Sequence, residues 1–71
     1  MFSIEKILKK AIQIAKENKE NFNATLLQKE LIRNKFEAGI IKCNRMIDEL
    51  EQLGIVEVDE RIIPKKVTVL I

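Results

Sequence analysis

The spacing of the apolar residues changes character once along this chain, at Gly54, and that change most limits the folds open to it. Upstream, apolar positions step by three and four residues, the period of one helix face; downstream they form short β-branched runs. Ile4, Ile7, Leu8, Ala11, Ile12 and Ala15 share one such face, with Glu5, Lys6, Lys9, Lys10, Gln13 and Lys16 opposite. The spacing predicts a first helix from about Ser3, its N-cap, to Asn18, followed by a polar loop that Phe22 anchors to the core. Thr25-Leu26-Leu27-Gln28 has the form of a capping box, in which the Thr25 hydroxyl meets the Gln28 N–H and the Gln28 side chain reaches back. A second helix is therefore expected from near Leu26, with Leu27 and Leu31 inward and Leu26 a third candidate for that face, fading between Ile32 and Asn34.

From Phe36 the positions Phe36, Ile40, Cys43, Ile47 and Leu50, flanked by Met46 and Leu53, predict one long amphipathic third helix. Gly54 stands where a left-handed residue closes a helix. Gly39 is costlier, at about 1 kcal/mol inside a helix, so either the helix starts only after it or its backbone closely approaches something. The expected core joins Leu27, Ile40, Ile47 and Leu50 to Ile7, Leu8 and Ala11. Ile55 to Val58 and Val67 to Ile71 read as a hairpin with Asp59-Glu60-Arg61 as its turn, and Pro64 makes the stretch from Arg61 to Lys66 a wing loop or an irregular edge. Ile62 and Ile63, apolar at the hairpin tip, have three uses open to them: folding back on the core, touching a partner or entering a groove.

A chain of 71 residues is one domain, near the lower limit for a core built without disulfides or metal. Its chemistry is narrow. The single cysteine, Cys43, has no partner for a disulfide; with no histidine present it has no help in holding zinc or forming a thiolate, and it reads as a small core residue. The same absence removes the usual neutral-pH base, and Ser3 is the only serine, so no hydrolytic triad can be assembled. Two glycines cannot make a phosphate-cradling loop. A non-catalytic protein is expected, with no cofactor, metal or small-molecule substrate. Its aliphatic runs are far shorter than a membrane span, and its start lacks the pattern of a secretory signal, so a cytoplasmic protein without membrane contact is expected.

The net charge of +2 is unremarkable, but its distribution is uneven. Five basic and two acidic residues lie from Lys29 to Arg45, six acidic and no basic residues from Asp48 to Glu60, and three basic residues from Arg61 to Lys66. The third helix is thus positive early and negative late, an order its macrodipole disfavours by roughly 0.3 to 1 kcal/mol per well-placed charge. A helix entering a major groove by its N-terminal half needs that order, with Lys42 and Arg45 toward the DNA and Asp48, Glu49 and Glu51 held away. Lys42 and Arg45, bordered by Ile41 and Asn44, lie off the apolar stripe; the plain alternative is a solvated charged face. The order of elements, three helices then a hairpin, is α+β and that of a winged helix.

The residues that open and close these elements resemble the winged-helix gamma domain at the C-terminus of the FtsK/SpoIIIE DNA translocases. That family opens helix two with serine-x-serine-leucine-leucine-glutamine, where this chain has Asn23-Ala24-Thr25-Leu26-Leu27-Gln28. It opens helix three with glycine-tyrosine-asparagine-arginine-alanine-alanine-arginine, matched by Gly39-Ile40-Ile41-Lys42-Cys43-Asn44-Arg45. It closes with leucine-glutamate-x-x-glycine-isoleucine-valine, present as Leu50-Glu51-Gln52-Leu53-Gly54-Ile55-Val56, and its lysine-proline-arginine-glutamate-valine is echoed by Ile63-Pro64-Lys65-Lys66-Val67. The resemblance spans residues 4 to 71. The chain departs from it in a longer segment between Gln28 and Gly39, in Ile40 and Ile41 where the family has tyrosine and asparagine, and in Lys42 for an arginine.

The resemblance implies double-stranded DNA as partner; the family reads a short, directional, G-rich site and also touches the Xer recombinase machinery. The expected DNA-binding residues are Ile41, Lys42, Asn44 and Arg45 on helix three, Thr25 and Lys29 on helix two, Lys35 in the turn, and Arg61, Lys65 and Lys66 on the wing. The rival readings are a protein-interaction module with a protein partner, favoured by the acidic run and the apolar Ile62 and Ile63, and a small transcriptional regulator.

Overall fold

The computed structural model describes residues 4–62 and 65–71; Ser3, the Ile4 and Glu5 side chains, Ile63 and Pro64 lie outside the described residues, and with them the expected cap and part of the wing. Three helices, α1 (Ile4–Glu17), α2 (Ala24–Arg33) and α3 (Ile40–Gln52), precede two strands, β1 (Val56–Asp59) and β2 (Lys66–Val69). The strands pair antiparallel, from Val56 opposite Val69 to Asp59 opposite Lys66. This is the α+β layout of a winged helix. Among the described residues no helix is long and apolar enough to cross a membrane.

The core collects Ile7, Ala11, Ile14 and Ala15 from α1, Phe22 from the loop, Leu27 and Leu31 from α2, Cys43, Met46, Ile47 and Leu50 from α3, and Val56 from β1. Ile14 completes a stripe that the spacing of the other α1 residues left unmarked. Leu8 and Ile12 sit half-buried at its margin. Ile40 departs from expectation: it is 44 % exposed, because Gly39 occupies the N-cap position and Ile40 is the first residue of α3. The inward face starts one turn later, at Cys43. Phe36 lies before the helix and packs on the core from the turn.

The capping box expected at Thr25 does not form. Asn23 is the cap, its Oδ1 accepting from the Leu26 N–H at 2.8 Å, and Thr25 falls inside the first turn, exposed. Gln28 turns the other way and donates from Nε2 to the Ala38 carbonyl at 3.1 Å. Either side chain can cap a helix; starting at Asn23 frees Gln28 to hold the long turn between α2 and α3.

Both α2 and α3 end in the same hydrogen-bonded closure. After α3, Gly54 (φ 76°) donates to Glu51 O at 3.0 Å and Ile55 to Leu50 O at 2.9 Å. After α2, Lys35 (φ 67°) donates to Ile32 O at 2.9 Å and Phe36 to Leu31 O at 2.9 Å. These are Schellman closures, which satisfy carbonyls the helix leaves open, and the second places a lysine in the left-handed region that glycine normally fills.

Candidate nucleic-acid interface

Opposite the buried face of α3, Ile41 is 70 % exposed, and Asn44, Arg45 and Asp48 follow it on the solvent side over the next two turns. Two clefts flank this ridge. One, of about 300 Å³, runs between the start of α2, α3 and the hairpin; Asn23, Ala24, Thr25, Asn44, Ile47, Asp48, Val58, Lys65 and Val67 line it. The other, of about 410 Å³, separates α3 from α1 and is lined by Ile7, Leu8, Lys42, Arg45, Met46, Asp48 and Glu49. Asp48 borders both, so it stands on the ridge between them.

Comparisons with protein-family models, with curated proteins and with solved structures gave no match.

The fold brings part of the expected set together. Thr25, Asn44 and Lys65 meet around the first cleft, with Lys42 and Arg45 on the second. Lys29, Lys35 and Lys66 are exposed but border neither. Lys42 Nζ lies 3.5 Å from the Glu37 carbonyl, and among the described residues neither Lys42 nor Arg45 is paired with a carboxylate. The wing cations differ. Arg61 folds back on Asp59, with its backbone N–H 3.0 Å and Nε 3.2 Å from Oδ1 and Nη2 3.4 Å from Oδ2, and Lys65 Nζ is 3.6 Å from Glu60. Those hydrogen bonds from Arg61 hold the Asp59 carboxyl below its ordinary value, and Lys66 across the ladder adds to the effect. Two of the three wing charges are thus partly spent within the hairpin. Ile62 is 45 % exposed beside them.

The carboxylates expected to stand apart do so unequally. Glu51 is turned to the hairpin and accepts from the Val58 N–H at 3.3 Å. Asp48 and Glu49 instead share the clefts with the cations. Asn23, Asp48 and Glu49 are the polar cleft residues the sequence reading missed as site residues. Asp48 follows Arg45 by three positions, a spacing that puts both on one helix side and could have marked it. Behind the ridge, Cys43 is fully buried, and that burial pushes its thiol above its ordinary value, against a smaller opposing influence from Lys42.

Proposed function

We propose that the chain binds double-stranded DNA as a winged helix, with α3 in the major groove and the hairpin beside the backbone, in keeping with its resemblance to the translocase gamma domain. The observation that carries this reading is the pairing state of the cations: Arg45 and Lys42 are exposed and, among the described residues, make no ion pair with a carboxylate, and they lie on the helix that the layout offers to a groove, with Ile41 and Asn44 beside them. Arg45 has a planar fork suited to guanine O6 and N7, Asn44 suits adenine, and Ile41 offers an apolar surface to a thymine methyl. Lys42 is a point charge suited to phosphate. Thr25 at the start of α2, with Lys65 across the cleft, suits a second phosphate. Lys29, Lys35 and Lys66 extend the positive field, while Arg61 contributes less because Asp59 holds it.

Selection from a random duplex library, followed by titration across a salt series, tests this. Arg45→Ala should cost about 1 to 3 kcal/mol on the selected site and less on scrambled DNA, whereas Lys42→Ala should weaken both alike and flatten the salt slope by about one unit. Binding by the double variant as tight as by the parent, with circular dichroism unchanged, would transfer the function to the rival reading, a protein-interaction module. Asp48 and Glu49 beside the cations are the observation that favours that rival.

A further inference from the structure

The α1–α3 groove has an apolar floor, Ile7, Leu8 and Met46, and a rim divided by sign. Lys42 and Arg45 stand toward the start of α3 and Asp48 and Glu49 toward its end. Lys42 and Glu49 are seven residues, about 10 Å, apart along the helix. Among the described residues none of these four charges pairs with an opposite charge of this chain. The first turn of α3 holds no acid and its last turn no base, so the order is also unfavourable to the helix's own dipole. An arrangement that helps neither the helix nor its neighbours is, however, complementary to itself when turned end for end.

We propose that this groove receives a second copy of the chain, with the two α3 helices antiparallel about a two-fold axis beside Arg45 and Met46. Lys42 of each copy then faces Glu49 of the other, two identical contacts generated by one symmetry operation. The helix dipoles oppose, which offsets the unfavourable charge order, and the apolar floors of the two grooves close on each other. An extended basic or acidic partner would satisfy only one end of the rim; a second copy satisfies both. The contact uses the α1 side of α3 and includes Lys42 and Arg45, the cations assigned above to DNA. Self-association and DNA binding therefore exclude one another; this consequence, unlike the dimer, rests on the DNA reading.

Sedimentation of the purified chain over about 0.05 to 1 mM, a range suited to a small and partly polar interface, reads the association directly. The parent should dimerise, less so as salt rises. Lys42→Glu and Glu49→Lys should each weaken the dimer about tenfold, since each turns two symmetric attractions into repulsions, and the exchanged double variant should recover most of the loss. Circular dichroism of every variant verifies folding. Glu49→Lys should also tighten binding to a random duplex, because it opens the groove and adds a cation. A parent that stays monomeric throughout, or an exchanged variant no better than either single one, would overturn the proposal. If the parent dimerises and the exchange rescues it but no variant binds any duplex, the dimer stands and the DNA reading falls.

Discussion

Lys35 offers the sharpest test of the backbone. Its φ of 67° places a side-chain-bearing residue in the left-handed region at the end of α2, a geometry that costs about 1 to 2 kcal/mol for an L-residue. Glycine removes that cost but adds freedom to the unfolded chain, worth about 0.4 to 1 kcal/mol in the opposite direction. Lys35→Gly should therefore stabilise the domain by about 0.5 kcal/mol, after loss of a few tenths from a cation near a helix C-terminus. For a domain this small, that raises Tm by roughly 2 to 4 °C. Lys35→Ala is the decisive partner, because it removes the same charge and keeps the strain. Gly54→Ala is the converse: nothing lies within 4 Å of the added Cβ, so the cost is conformational, and with φ at 76° it should lower stability by about 1 kcal/mol. Thermal and urea melts of the three variants, with m-values compared, provide the measurement. A Lys35→Gly protein that melted no higher than Lys35→Ala would refute the left-handed closure.

Other changes probe the rest of the framework. Asn23→Ala should cost about 0.5 to 2 kcal/mol in urea melts by removing the acceptor for the Leu26 N–H, while Thr25→Ala should cost little; the reverse order would restore Thr25 as the cap. Leu50→Ala, at a site with no exposure, should cost about 2 to 5 kcal/mol and leave much of the chain unfolded at 25 °C, so a barely shifted melt would contradict the α3 phase. Cys43 should react with a thiol reagent far more slowly in the native chain than in denaturant, since burial both shields the thiol and disfavours its ionisation; equal rates would displace it from the core. Asp59 should titrate by NMR below the ordinary aspartate value and return toward it in Arg61→Ala. Because its pKa is lowered on folding, its contribution is present above the unfolded value and is lost as pH falls through the folded one, so hairpin contacts should loosen only under acid.

Much of the architecture was written in local patterns that do not depend on where the chain goes next. The stripe Cys43, Ile47, Leu50 recurs at helical spacing whatever packs on it, Gly54 has the freedom a left-handed closure needs, and β-branched runs on either side of a polar turn make a hairpin. Composition was equally direct on two points, since a chain with no histidine and one cysteine holds neither an imidazole base nor an internal disulfide. Tertiary structure decided what depended on competition between near-equivalent partners. Asn23 and Thr25 are both competent caps, and the helix start follows from Gln28 being needed by Ala38, ten residues away. Ile40 lies on the apolar spacing, yet the turn that places Gly39 at the N-cap leaves it at the helix edge. Lys35 carries no local signal for a left-handed backbone; the closure onto Leu31 and Ile32 imposes it. The charges follow the same rule, because a side chain's sign is read from the sequence but its partner depends on distance. Arg61 and Lys65 are partly offset by Asp59 and Glu60, whereas among the described residues Lys42 and Arg45 make no ion pair although Asp48 and Glu49 border the same groove, a difference that exists only once the turns have folded.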